Sequence, residues 1–195
     1  MPENFLTQPP GRLGRWIKAG LGLSLSMLMI TEALPGQTPE VPAGLVIDAI
    51  HIDGVLDEAS WQEAHTIDQL ATTEPIEGGV PSGKTTFRIL ADPKSLMIGV
   101  DCLYDSPEDI VSFSKLRDAR LNNEDHVRIV IDAFLDGQSG YIFAVNASGA
   151  RYDALVSNRG ESENDDWDAV WYAATQRHAQ GWSLEIRIPV QSISF

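Results

Sequence analysis

The sequence is poor in the residues that most often carry chemistry. It has one cysteine, Cys102, in 195 residues. No internal disulfide can form, so the fold must be held by its core, with bound metal as the other available staple. The four histidines, at 51, 65, 126 and 178, show neither H-x-x-x-H nor H-x-H spacing and read as solvated or hydrogen-bonded groups rather than zinc ligands. Basic residues are half as numerous as acidic ones, 14 against 28, giving a net charge of −14. That field repels phosphate backbones and anionic lipid and argues against nucleic acid as a partner. No apolar run reaches the roughly 20 residues of a membrane-spanning helix. G-x-S-x-G is missing too: Gly137 to Gly140 falls one residue short and reads as a hairpin tip.

What is present begins with a leader. Arg12, Arg15 and Lys18 precede the apolar or small run Ala19 to Ile30, a basic region followed by a short hydrophobic one, and residues 1–36 are therefore expected to be a secretory signal. The proline-bearing stretch 37–45 reads as a linker. From Val46 onward period-two alternation dominates. Leu96, Ile98, Val100 and Cys102 form one alternating set, Val127, Ile129, Ile131 and Ala133 a second, Tyr141, Phe143 and Val145 a third, and Trp182, Leu184, Ile186 and Ile188 a fourth. Asp136-Gly137 and Ser139-Gly140 between the second and third sets, and Gly181 before the fourth, are hairpin chemistry. One short helix is expected over Val55 to Ala64, and no long helix alternates with the strands, which disfavours a parallel α/β fold. The expected fold class is all-β, an antiparallel two-sheet β-sandwich of immunoglobulin-like or jelly-roll type over 46–195.

Two apparent motifs dissolve in their context. Gly78 to Thr85 spells G-x-x-x-x-G-K-T, but the residues before it carry proline and acids and those after it alternate like a strand. A phosphate loop needs a strand before it and a helix starting at the lysine, so an ordinary connection is expected here. Acidic residues cluster at Glu161, Glu163, Asp165, Asp166 and Asp168, and strand ends carry Asp101, Asp105, Asp118 and Asp125. None follows the EF-hand pattern, so no metal ligand is assigned, and no carboxylate pair of fixed separation is legible for glycosidase chemistry.

Ile52 to Ala64, "IDGVLDEASWQEA", resembles the opening of a family 9 carbohydrate-binding module. Segments similar to its later strands follow in order: "SLMIGVDCLYD", "EDHVRIVIDAF", "GYIFAVNASGA" and the closing "GWSLEIRIPVQSI". The resemblance implies a β-sandwich with structural calcium that binds sugar chain ends between two tryptophans, as a non-catalytic module serving carbohydrate catabolism. A narrower likeness, from Asp136 to Trp171, is to the version found at the N-terminus of bacterial exported proteins of unassigned function, and implies a C-terminal outer-membrane barrel. The alternative on that likeness is a docking or plug domain that has lost its sugar site. The implied location is periplasmic, outer-membrane-associated or extracellular. The family continues past "IPVQSISF" with a further strand, so a sandwich incomplete at its C-terminal edge, or completed by a partner, is expected.

The candidate carbohydrate-binding residues are Trp167, Asn146, Arg128 and Trp171. Asn146 matches the asparagine of the family's strand. Where the family places a sugar-binding tryptophan and glutamate around its aspartate-x-valine strand, this chain has Asn122 and Arg128, so half of the aromatic clamp is missing. If 167–175 is a strand, Trp167 and Trp171 share a face about 13 Å apart, four residues at roughly 3.3 Å each, too far to clamp one ring. Trp171, between Ala169 and Ala173, then reads as a core plug and Trp167 as a rim residue within reach of ligand. Trp61 and Trp182 are expected to be structural.

Overall fold

The computed structural model describes residues 40 to 193 apart from Pro75, Val80 and Ser82. The leader at 1–36 and the first part of the linker lie outside the described residues, as do two positions of the Gly78 to Thr85 match. That match runs into a strand, not a helix, at Lys84.

Among the described residues ten strands form two sheets, and one short α-helix lies between the first two strands. In chain order they are β1 (Gly44–Leu45), α1 (Ala59–Glu63), β2 (Thr66–Ile67), β3 (Lys84–Ala91), β4 (Ser95–Leu103), β5 (His126–Ile131), β6 (Gly140–Asn146), β7 (Arg151–Ser157), β8 (Ser162–Asn164), β9 (Tyr172–His178) and β10 (Gly181–Pro189). The six-stranded sheet runs β1-β3-β4-β10-β9, with β2 also on β3, and the four-stranded sheet runs β5-β6-β7-β8. Every ladder is antiparallel except the two-residue β1–β3 pair. The two-sheet sandwich expected from alternation is the observed fold. Among the described residues no helix is long and apolar enough to cross a membrane.

Period two decides what meets between the sheets. Ile98, Val100 and Cys102 of β4 and Trp182, Leu184, Ile186 and Ile188 of β10 share one core with Val127 of β5 and Tyr141, Phe143 and Val145 of β6. Burial pushes the Cys102 thiol up to about 12, which makes it an inert packing group. Trp182 is a plug of this core, as expected.

Alternation also predicts a solvated outer face on each sheet, and here the structure departs from it. All seven residues of β6 are buried, and so are Ser183 and Glu185 on the outer side of β10. Over the six-stranded sheet the covering layer is the segment from Val46 to Ala64. Trp61 lies on Gly99, where a Cβ would come within 3.0 Å of the indole ring. Leu90 and Met97 complete a small second core with it. The fully buried Glu185 pins this layer, accepting from the backbone N–H groups of Asp53 and Gly54 at 2.8 Å each and from Trp61 Nε1 at 2.9 Å. Burial nonetheless raises its pKa above the ordinary value.

Three boundaries differ from those expected, two of them because side chains capture backbone donors. The helix expected over 55–64 occupies only Ala59–Glu63, since the N–H groups of Ala59 and Ser60, which a helix from Val55 would bond to the carbonyls four residues back, donate instead to the Asp48 carboxylate at 2.9 and 3.1 Å. The linker expected to end at 45 gives way to β1, whose Gly44 and Leu45 pair with Leu90 and Ala91. The strand expected from Trp167 starts only at Tyr172, because Ala169 N–H donates to Asp153 Oδ2 at 2.6 Å and Asp166 N–H to Asn164 Oδ1 at 3.1 Å.

Candidate functional site

The outer face of the four-stranded sheet is built by register. Arg128 of β5 sits opposite Ala144 of β6, which sits opposite Tyr152 of β7, and Val156 of β7 opposes Glu163 of β8. His126, Arg128, Ala144, Tyr152 and Glu163 therefore share one face. With Arg120, Leu121, Asn122 and Asp165 from the flanking connections they line a hollow of about 310 Å³.

Its polar groups are oriented by one another. Arg128 Nη2 donates to Glu163 Oε1, Tyr152 Oη donates to Glu163 Oε2 at 3.1 Å, and Arg120 pairs with Asp165 at 3.4 Å. Burial, followed by the bond to Glu163, raises the Tyr152 phenol, which stays a donor. His126 Nδ1 lies 2.8 Å from the carbonyl oxygen of Glu124. A carbonyl only accepts, so Nδ1 carries the hydrogen, and in the neutral ring Nε2 is left as an acceptor.

The wall bearing Arg120 to Asn122 belongs to the long connection between β4 and β5, which is tacked down by Glu124 and Asn146. Glu124 Oε2 accepts from Phe113 N–H at 2.7 Å, Ser114 N–H at 3.0 Å and Asn146 Nδ2 at 2.8 Å. Burial pushes the Glu124 carboxyl up, and the bonds from Ser114, Phe113 and Asn146 outweigh it and hold the group below the ordinary value. Asn146 is fully buried. Its Nδ2 also donates to Ser114 O at 2.9 Å, and its Oδ1 accepts from Ser148 and Ala150 N–H at 3.0 and 2.8 Å.

Of the four residues singled out from sequence, only Arg128 lines this hollow. Asn146 fastens the wall from behind, with both its oxygen and its amide nitrogen already engaged, and offers nothing to a ligand. Trp171 is 2% exposed, donates from Nε1 to Asp153 Oδ1 at 3.0 Å and packs edge-on to Phe143 with centroids 5.1 Å apart; it is a core residue. Trp167 packs against Tyr141 and Phe143, at 5.2 and 6.3 Å between centroids, and lines a different hollow with Asp168, Val170, Tyr172 and Pro189. The two indoles thus flank one phenylalanine instead of projecting along one strand face. Asn122, named only as the place of a missing tryptophan, is in the hollow. Tyr152, His126, Glu163 and Asp165 were not singled out as ligand residues; the alternation that puts Tyr152 and Glu163 on the Arg128 face was the available signal.

Calcium was expected from the resemblance. Among the described residues one trio, Asp118, Asp153 and Asp168, brings carboxylate oxygens within 4.8 Å of one another. Arg117 already stands as their cation, with Nη2 at 2.7 Å from Asp153 and 2.8 Å from Asp168, while Trp171 Nε1 and Ala169 N–H occupy further lone pairs of Asp153. This trio does not fit a calcium ion, and a structural calcium would need other ligands.

The two-layer, mostly antiparallel sandwich is shared with solved carbohydrate-binding modules of family 9. The chain superposes on the family 9 module of Caldicellulosiruptor kristjanssonii in complex with glucose with a TM-score of 0.55 at 14% identity, covering 80% of this chain and 70% of that one. The same type of module from that organism in complex with cellotriose gives 0.52 at 16% identity, over 79% and 70%. A candidate carbohydrate-binding protein of Bacteroides uniformis gives 0.52 at 13% identity over 67% of this chain, and the matched part spans 62% of that protein's length. At these identities the likeness establishes the fold. No family model and no curated protein matches the sequence.

Proposed function

We propose that this chain is a non-catalytic carbohydrate-binding domain that holds poly- or oligosaccharide in the hollow on the outer face of β5 to β8. The observation that carries the reading is the convergence of Arg120, Asn122, His126, Arg128, Tyr152, Glu163 and Asp165 on one face of a sandwich of this fold. Sugar hydroxyls need directional donors and acceptors, and an arginine held beside a carboxylate presents both to neighbouring hydroxyls. The rings of Tyr152, itself mostly buried, and His126 border the hollow on the side of sugar C–H groups. The carboxylates of the hollow, Glu163 and Asp165, are each paired with an arginine, which presents them as oriented hydrogen-bond acceptors and supports a binding role. The neighbours solved with glucose and cellotriose make glucose chains the first ligands to try. The basic-then-apolar leader supports export, and with it a role in carbohydrate catabolism outside the cytoplasm.

Calorimetry and a glycan array on the exported portion test this. Saturable binding of a saccharide, weakened at least about tenfold in R128A, is the expected result. No binding heat with any saccharide at millimolar concentration, or hydrolysis of one, overturns it.

A further inference from the structure

The Arg128–Glu163 bridge has a hollow on each side. Beyond it, toward the strand ends, lies a second one of about 390 Å³, with Val130, Ile142 and Val156 among its apolar lining and with Gln138, Ser139 and Arg159 at its turns. Arg128 and Glu163 line both hollows. Val130 follows Arg128 by two residues on the same face, so the two floors are neighbouring rows roughly 7 Å apart along the strand direction. The hollows are consecutive stretches of one groove that runs along β5 and β6.

Two further observations mark the second stretch. The groove's other arginines are paired, Arg120 with Asp165 and Arg128 with Glu163, and Asp132 accepts backbone N–H groups of its own hairpin. The Arg159 side chain, by contrast, has no hydrogen-bond or ion-pair partner among the described residues and is exposed on the wall. Four non-glycine residues among those described have a left-handed backbone, and three of them, Leu135, Asn158 and Arg159, sit in the two connections that flank this stretch. Such strain persists where surroundings enforce it and gathers at ligand clamps. The connections are tied together, since Arg159 N–H donates to Gln138 O at 3.0 Å, which fixes the wall before any ligand arrives.

We infer that the second hollow is a further saccharide subsite, and that the groove takes a linear oligosaccharide side-on, along its length, with Arg159 and Gln138 contacting the unit beyond the Arg128–Glu163 bridge. This rests on the carbohydrate reading of the first hollow. The apolar floor receives the C–H face of that unit, and Arg159 and Gln138 supply donors to its hydroxyls.

The test is calorimetry of the exported portion with glucose and with cello-oligosaccharides of increasing length, each also in a form whose reducing end has been converted to the alditol. Affinity should rise as the chain lengthens and should be indifferent to that conversion for the longer chains. R159A and Q138A alter exposed or turn residues, and R159A should weaken the longer chains about tenfold, as loss of a charged hydrogen bond does, while leaving glucose unchanged. Equal affinity for glucose and longer chains, loss of binding when the reducing end is converted, or an R159A effect equal for all lengths would overturn the subsite while leaving the first hollow's function standing. Absence of binding by glucose and by every cello-oligosaccharide, with the glycan array also blank, would overturn the carbohydrate reading and the subsite together.

Discussion

The two sheets are made of similar alternating strands, yet their outer faces have opposite fates. On the six-stranded sheet, Gly99 leaves room for Trp61, and Glu185 gathers the N–H groups of a passing segment, so the face becomes a second core. On the four-stranded sheet the β4–β5 connection covers part of the face, with Leu121 packed on Ile142, Ala144 and Tyr152, and beside it polar side chains satisfy one another across the strands, Arg128 with Glu163 and Tyr152 with Glu163, and line the hollow. Buried carboxylates that recruit backbone, Glu185 on one side and Glu124 on the other, fasten the segments that cover each sheet. The paired Arg128 and Glu163 leave the rest of their face open, with donors and acceptors already aimed.

That contrast can be broken from either side. The largest effect is expected at the closed face: E185A strands the buried donors of Gly54 and Trp61 and the half-buried one of Asp53 and should cost about 3–5 kcal/mol in denaturant unfolding, the range for removing one member of a buried polar set. Saccharide affinity of the molecules that remain folded should be unaltered. Next comes the aromatic between the sheets' rims: W167A removes packing on Tyr141 and Phe143 and should cost about 2 kcal/mol of stability, again with unaltered affinity, because its hollow is not the Arg128 one. R128A should do the reverse. Its bridge to Glu163 is half exposed, with side-chain exposures of 36% and 37%, so stability should move by no more than about 1 kcal/mol while saccharide affinity falls at least about tenfold by calorimetry.

The smallest expected effect is a pair of opposed pH slopes. Glu185 has its folded pKa raised above the ordinary 4.5; the folded state binds this proton more tightly, so its contribution is full below 4.5 and is lost as pH rises through the folded value. Glu124 is held below 4.5, so its contribution is present above 4.5 and is lost as pH falls through the folded value. Unfolding free energy measured against pH should therefore lose its decline above 4.5 in E185Q and its acid-side loss in E124Q.

The inner core was legible because alternation is a local signal that both sheets obey. Trp182, Leu184, Ile186 and Ile188 could be assigned to one face with no knowledge of their partners. The outer faces were not, because what covers them comes from far along the chain: Glu185 meets Gly54 across 131 residues, and no spacing rule links them. Asp153 shows the same limit. Its carboxylate takes Ala169 N–H and Trp171 Nε1, which delays β9 to Tyr172 and turns an expected strand-borne pair of indoles into packing around Phe143. Asn146 was found by its place in a strand motif, but its side chain reads backward into the β4–β5 connection, and a motif position does not say which way an amide faces. Arg128 lies in the hollow because register alone places it on that face.

The account stands on the open face of β5 to β8 being where ligand binds. Backbone chemical shifts of the isotopically labelled protein, followed as cello-oligosaccharide is added, test this directly. Shifts that concentrate at His126 to Val130, Tyr152 to Val156 and Glu163 to Asp165, with β3, β4 and β10 unmoved, are the result the account requires. Shifts centred on Trp167 and Tyr172, or on the face that Trp61 covers, would contradict it.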